Sequence, residues 1–169
     1  MSTATPLSTL LTVTLLLVGC HSSTPEPTAT PTPTAATTTP VTDACQVLTT
    51  AEITSVLAMP IDPGQHIPKT STIMCGWPKT GVTSDSEVML NFTTPDYFEK
   101  ERDPHPRITM TPAPGIGDDA YYITSQFGTS LFIKKGNAVI GFTIRDKSIP
   151  SAQLMEKEKA LGLKAATRL

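Results

Sequence analysis

Cysteine carries most of the chemistry that this sequence suggests. Cys20 ends the run Leu16-Leu17-Val18-Gly19-Cys20, which has the form of a bacterial lipobox. A lipoprotein signal peptidase cuts before such a cysteine after its sulfur has been acylated. Each buried CH₂ of an acyl chain adds roughly 0.8 kcal/mol of membrane affinity. We therefore predict lipidation at Cys20 and removal of residues 1–19 as a signal peptide.

The stretch before the lipobox cysteine fits a signal peptide better than a membrane span. Its apolar part runs from Leu7 to Val18, which is 12 residues, whereas a spanning helix needs about 20. No Lys or Arg precedes Leu7, which departs from the usual basic start of a signal peptide. A plain secretory signal and a retained N-terminal helix are the alternatives.

The other two cysteines, Cys45 and Cys75, make an even pair in a chain predicted to be exported. Such a pair indicates a disulfide. The alternatives are two free thiols or part of a metal site. The sequence has three histidines, and none is spaced as a ligand pair. We predict a Cys45–Cys75 disulfide, no metal site and no cofactor.

The remaining residues that could do chemistry form no recognisable catalytic motif. His66 and His105 stand beside proline and glycine, which predicts exposed loops. Gly115-Ile116-Gly117 lacks the third glycine of a dinucleotide-binding motif, and it predicts a tight turn that leads Asp118 into an Asx-turn. The sequence contains no nucleophile elbow and no P-loop. We predict no catalytic residues.

Aromatic residues are the candidates for recognition. Trp77 lies two residues from Cys75 and most simply packs against the disulfide in the core. A partly exposed Trp77 would instead form an aromatic recognition surface with Tyr121 and Tyr122. Both interpretations stay open at the level of the sequence.

The chain divides into a leader, a tether and one domain. Residues 20–43 are the predicted lipid anchor and tether, and residues 21–43 contain nine Thr and five Pro but no large apolar side chain except Val41. Such a segment cannot bury enough apolar surface to fold. It is a passive spacer or an O-glycosylated stalk. From Ala44 the composition changes, and residues 44–169 suit a single domain.

Local patterns predict an α+β domain in the order α-β-β-α-β-β-β-β-α. Tight hairpins rather than βαβ crossovers argue for an antiparallel sheet with helices packed on it. The alternative is an α/β/α sandwich of the Mog1/PsbP-like kind. The predicted helices are 50–58, 96–102 and 150–168, and the predicted strands are 72–78, 87–93, 108–110, 120–125, 129–135 and 138–145.

Three local signals support these elements. Thr49 and Glu52 have the spacing of a capping box at the start of the first helix. Gly136-Asn137 is typical of a two-residue hairpin turn. The last helix carries an apolar stripe from Leu154 to Leu169 with spacings of 7, 4 and 4 residues.

The segment ACQVLTTAEI, residues 44–53, resembles the opening of a group of small bacterial envelope lipoproteins, common in actinobacteria, that carry a domain of unknown function. The group has a second cysteine near an aromatic, here Cys75 and Trp77, and a later Gly-x-Gly-Asp-x-Ala-Tyr segment, here residues 115–121. The resemblance covers about residues 44–146. It implies an envelope lipoprotein with a paired-cysteine domain, and it implies no catalytic residues.

Charge and motifs together define the expected function. The net charge is −2, so the chain has no basic field for nucleic acid and no polybasic membrane patch. We predict a protein held to the extracytoplasmic face of the cell membrane by its lipid, acting as a non-catalytic binding module. Its partner is an unknown envelope protein or a small ligand. The alternatives are an accessory subunit of an envelope complex and an envelope hydrolase.

Overall fold

The computed structural model describes residues 40–82, 86–103, 106–146 and 148–169. The predicted signal peptide, the lipidation site Cys20, most of the tether and His105 lie outside these residues. Within the described ranges, every helix is too short or too polar to cross a membrane.

Helices and strands follow the predicted order along the described chain, so the predicted α+β fold is confirmed. The structure adds two short elements that the sequence did not predict. One is a helix just before the first predicted helix, and the other is a strand just after it. The helices are α1 (Ala44–Val47), α2 (Thr50–Leu57), α3 (Pro95–Lys100) and α4 (Ser151–Ala166). The strands are β1 (Gln65–His66), β2 (Met74–Pro78), β3 (Ser86–Thr93), β4 (Thr109–Pro112), β5 (Asp119–Ser125), β6 (Gly128–Lys135) and β7 (Ala138–Ile144).

The strands form one antiparallel sheet in the order β1-β2-β3-β7-β6-β5-β4. Gly136 and Asn137 make the predicted two-residue turn between β6 and β7, which pair from Lys135 and Ala138 onward. The last strand, β7, lies between β3 and β6 and so joins the first half of the chain to the second. Every strand but the two at the edges is therefore paired on both sides within the described residues.

Alternation along the strands gives the sheet two different faces. One face packs against α1, α2 and α4 and forms the main core, whose sheet residues include Val88, Leu90, Phe142 and Ile144. The other face holds a smaller cluster under α3. That cluster consists of Phe98, Tyr121, Ile123 and Val139.

Glu52 ties the start of α2 to the end of the chain. The predicted capping box is present, because the Thr49 hydroxyl accepts from the Glu52 N–H and the Glu52 carboxylate accepts from the Thr49 N–H. Arg168 also donates to both Glu52 oxygens, at 2.8 and 2.9 Å, and to the Val47 carbonyl. Hydrogen bonding from Arg168 lowers the pKa of Glu52 to about 2.

Helix α4 lies close to the sheet at Gly162. A Cβ atom at this position would stand 2.6 Å from Leu131 Cδ2 and 3.1 Å from Ile133 Cδ1. Glycine costs a helix interior about 1 kcal/mol relative to alanine. Here it allows the helix backbone to approach β6, so tight packing offsets the weaker helix propensity.

One acid interrupts the apolar stripe of α4. Glu158 is 0% exposed, and its Oε1 accepts from the Ile144 N–H at 3.3 Å. Burial raises the pKa of Glu158 to about 7, although the polar groups of Thr129 and Ile144 oppose the change. The carboxyl therefore favours its protonated form in the folded protein at mildly acidic pH.

Glu158→Gln is expected to raise the free energy of unfolding by about 3 kcal/mol at pH 8 and by less than about 1 kcal/mol at pH 5. The pKa of Glu158 is about 7 when folded and 4.5 as the ordinary value. The unfolded chain therefore releases this proton first, and wild-type stability falls as the pH rises through that window. Glutamine cannot ionise. Urea denaturation at pH 5 and pH 8 measures the difference.

Glu156→Gln is the matched control, since Glu156 is exposed on the same helix. It is expected to leave the pH dependence of stability unchanged. If Glu158→Gln and wild type lose stability in parallel between pH 5 and pH 8, the raised pKa of Glu158 is wrong.

Candidate binding cleft and disulfide region

Cys45 and Cys75 form the predicted disulfide, with their Cα atoms 5.0 Å apart. Cys45 lies in α1 and is half-buried, whereas Cys75 lies in β2 and is fully buried. Asp43 caps the start of helix α1, because its Oδ1 accepts from the Cys45 N–H at 2.9 Å. The disulfide therefore fastens the first helix of the domain to the sheet.

Trp77 packs beside the disulfide in the core, as its simplest interpretation predicts. It is 1% exposed. Gly64 lies against both groups, because a Cβ atom there would stand 2.6 Å from Trp77 Nε1 and 2.9 Å from Cys75 Sγ. The segment before β1 can cover the indole and the sulfur only because this residue has no side chain.

The structure does not bring Trp77, Tyr121 and Tyr122 together on an exposed recognition surface. All three are buried, with exposed fractions of 1%, 1% and 5%. Neighbouring residues on a strand point to opposite faces, so Tyr122 joins Trp77 in the main core while Tyr121 lies under α3. The hydroxyl of Tyr121 donates to the Phe98 carbonyl, and that of Tyr122 donates to the Met155 carbonyl. Burial raises the pKa of Tyr122 to about 12.

Arg102 covers the cluster under α3. Its guanidinium lies 4.7 Å from the centre of the Phe98 ring and 4.9 Å from that of Tyr121. The same group forms an ion pair with Asp119. A cation over two rings shields this apolar cluster from water while it keeps its own charge paired.

His66 is not the exposed loop residue that the sequence predicts. It lies on β1, half-buried, with its Nε2 2.8 Å from Asp43 Oδ1. The hydrogen bond with His66 lowers the pKa of Asp43, and it outweighs the opposing effect of burial. One donor atom from each of Asp43, Cys45 and His66 lies within 4.8 Å of the other two.

Asp118 connects two turns instead of forming a local Asx-turn. Its Oδ2 accepts from the Gly136 N–H at 2.6 Å, and its own N–H donates to the Lys134 carbonyl at 2.9 Å. Gly117 before it has a φ of +61°, and a Cβ there would stand 2.6 Å from the Lys134 oxygen. The predicted glycine turn is therefore present, and its role is to hold the β6–β7 turn.

An open cleft of about 750 Å³ lies beside this turn. The last residues of the predicted tether form one wall, and Val41 there packs partly against the core. The wall is mostly apolar. Its residues are Pro40, Val41, Thr42, Phe92, Thr93, Asp118, Lys135, Gly136, Asn137, Ala138, Val139 and Leu169.

The charged groups of the cleft are engaged within the domain. Asp118 accepts from Gly136 as described, and Lys135 Nζ donates to the Ala166 carbonyl at 2.9 Å. Sequence reasoning missed this cleft, because its walls come from segments far apart in the chain. What the cleft offers a ligand is chiefly apolar surface.

The described residues do not assemble the acid, histidine and hydroxyl that a hydrolase needs. Asp118 is bonded to Gly136, and His66 is bonded to Asp43. Glu158, whose pKa is raised to about 7, is fully buried between α4 and the sheet and does not line the cleft.

Comparison of the chain with protein-family models, with curated proteins and with solved structures finds no match in any of the three. The resemblance to small envelope lipoproteins therefore rests on the sequence motifs alone and stays a prediction.

Proposed function

We propose that this chain is a lipid-anchored binding module of the cell envelope, and that its cleft takes a small apolar ligand. The observation that carries the proposal is the open cleft next to the β6–β7 turn. Its volume of about 750 Å³ falls within the roughly 300 to 1,000 Å³ of small-molecule sites. No catalytic role is assigned to any residue.

The lining of the cleft argues for an apolar ligand. Phe92, Val139 and Leu169 contribute apolar side chains from β3, β7 and the end of the chain. Asp118 and Lys135 each have a hydrogen-bond partner within the domain, and the rest of the wall would not replace the hydration that a charged ligand loses. Burial of apolar surface is the main source of affinity.

The position of the cleft supports its link to the anchor. Pro40, Val41 and Thr42 belong both to the predicted tether and to the wall of the cleft. The domain therefore meets its tether at the end that carries the cleft. A tether of 23 residues between Cys20 and Ala44 could extend roughly 70 Å at most.

Ala138→Trp is expected to weaken ligand binding at least about tenfold, which corresponds to about 1.4 kcal/mol. Ala138 is half-buried in the wall, so an indole there fills the cleft without entering the core. The measurement is the fluorescence titration of N-phenyl-1-naphthylamine, an uncharged apolar dye, into the full chain. The chain carries Cys20→Ser, so that no detergent is needed.

Ala152→Trp is the matched control, because Ala152 is exposed at the start of α4 and is not part of the cleft wall. It is expected to bind like the parent chain. The proposed ligand class is wrong if the parent shows no saturable binding, or if the Ala138 and Ala152 variants bind alike.

Cys20→Ser is expected to move the protein from the membrane fraction to the soluble fraction of its native host. Serine cannot carry the thioether-linked lipid, so the acyl chains that supply membrane affinity are lost. Fractionation and intact-mass analysis measure the result. A native product that is unlipidated, or that begins at another residue, would contradict the lipid anchor. It would not affect the proposal for the cleft, which the ligand titration tests separately.

A second candidate is the accessory subunit of an envelope complex, and Phe127 favours it. This side chain is 84% exposed at the tip of the β5–β6 turn. Aromatic side chains are enriched among the residues that supply most of the binding energy of protein contacts. Purification from gently solubilised membranes separates the two roles: a stoichiometric protein partner that the Ala138→Trp variant retains would favour the accessory role.

A further inference from the structure

We propose that reduction of the Cys45–Cys75 disulfide creates a zinc site in which Cys45, Cys75, His66 and Asp43 are the ligands. The proposal is independent of the cleft and of the lipid anchor. It rests on the donor atoms of Asp43 and Cys45 at the start of α1 and of His66 on strand β1, which the fold brings to one place. Cys75 on strand β2 is bonded to Cys45.

The donor set matches the chemistry of zinc. Zinc prefers thiolate sulfur and imidazole nitrogen, accepts carboxylate oxygen, and binds four ligands in tetrahedral geometry. The atoms of Asp43, Cys45 and His66 lie within 4.8 Å of one another, against about 3.5 Å around a tetrahedral zinc ion. The Sγ atom of Cys75 is bonded to that of Cys45, so Cys75 is the fourth candidate ligand.

The fold holds these residues together without the help of the disulfide. His66 is the register partner of Cys75 in the β1–β2 pair. The Ala44 N–H donates to the Thr72 carbonyl at 2.8 Å, which fixes α1 beside the segment that leads into β2. The ligands are therefore expected to stay close once the sulfur–sulfur bond opens.

A zinc ion can reach three of the four proposed ligands from solvent, whereas Cys75 is fully buried. The side chains of Asp43 and His66 are 23% and 31% exposed, and Cys45 is half-buried. Both hydrogen bonds described for Asp43 end on Oδ1, so Oδ2 can bind the metal while Oδ1 still caps α1. A ligand held by a hydrogen bond from the backbone is already oriented for metal binding.

Oxidation state controls the site, because thiolates bind zinc and a disulfide does not. A dithiol supplies the two electrons: its sulfurs form a new disulfide, the Cys45–Cys75 bond breaks, and its two protons pass to the cysteine sulfurs. Zinc binding then displaces both protons from the thiols. Exchange with the disulfide form of that dithiol reverses the step: the two thiolates form the Cys45–Cys75 bond, the external disulfide takes their two electrons and two protons from solvent to become a dithiol, and the zinc ion is released.

The test uses the full chain with Cys20→Ser, so that Cys45 and Cys75 are the remaining cysteines. The protein is reduced with a phosphine, which binds zinc poorly, and zinc is titrated against a chromogenic chelator. We expect about one zinc ion per reduced chain, and at least about tenfold weaker binding to the oxidised chain or to reduced His66→Ala. His21→Ala is the matched control, since His21 lies in the predicted tether, and it is expected to bind like the parent.

Three results would overturn the proposal: equal zinc affinity in the oxidised and reduced chains, equal affinity in the reduced parent and reduced His66→Ala, or no binding after reduction. If reduction of the disulfide unfolds the domain, circular dichroism of the reduced chain with and without zinc detects it. In that case zinc is expected to restore the fold, because metal affinity adds to folding free energy, and failure to do so would also overturn the proposal.

Discussion

Trp77→Ala is expected to lower the free energy of unfolding by about 4 kcal/mol, the usual cost of truncating a buried aromatic side chain to alanine. Trp77 is 1% exposed and is among the largest fully buried side chains of the described residues. The sheet beneath it and Gly64 above it leave no side chain that could fill the space, since Gly64 already lies against the indole. Urea denaturation followed by circular dichroism measures the change.

Tyr97→Ala provides the comparison for this result. Tyr97 is an aromatic residue that is 42% exposed on α3, so its truncation is expected to cost about 1 kcal/mol or less. A similar loss for both variants would contradict the central position of Trp77 in the core.

Replacing both Cys45 and Cys75 with alanine is expected to lower the free energy of unfolding by about 3 to 4 kcal/mol. The disulfide joins residues 30 positions apart, and the cross-link removes much of the freedom of the unfolded chain between them. Urea denaturation in the presence of a metal chelator measures the loss.

Cys20→Ala is the control for this double variant, because it removes a cysteine that lies outside the pair. It is expected to leave the stability of the domain unchanged. A loss below about 1 kcal/mol in the double variant would mean that the disulfide does little to restrict the unfolded chain.

Most of the fold could be predicted because its signals are local. The capping box of Thr49 and Glu52 lies at the start of α2, and the Gly136-Asn137 turn joins β6 to β7. The disulfide was also predictable, because the predicted lipidation of Cys20 leaves a single pair of cysteines in a chain predicted to be exported. Helix α1 has four residues and strand β1 has two. Elements of this length are too short to produce a periodic pattern in the sequence, so they could not be predicted.

The features that sequence reasoning missed depend on contacts between distant residues. His66 pairs with Asp43, which lies 23 positions earlier, and no local pattern reports such a contact. Glu158 is different, because it lies four residues after Leu154 and three before Leu161, inside the predicted apolar stripe. An acid at that position was a readable signal of a buried carboxyl. Likewise, adjacent Tyr121 and Tyr122 could not share one face of a strand.

The position of the cross-link near the start of the domain has a mechanical consequence. A pull on the chain ahead of Ala44 reaches Cys45 almost at once and passes through the sulfur bridge into β2. Residues 46–74, which include α2 and β1, lie inside the closed loop and cannot be drawn out. The load falls on a strand that has neighbours on both sides, so the domain resists unravelling from this end until the bridge is reduced.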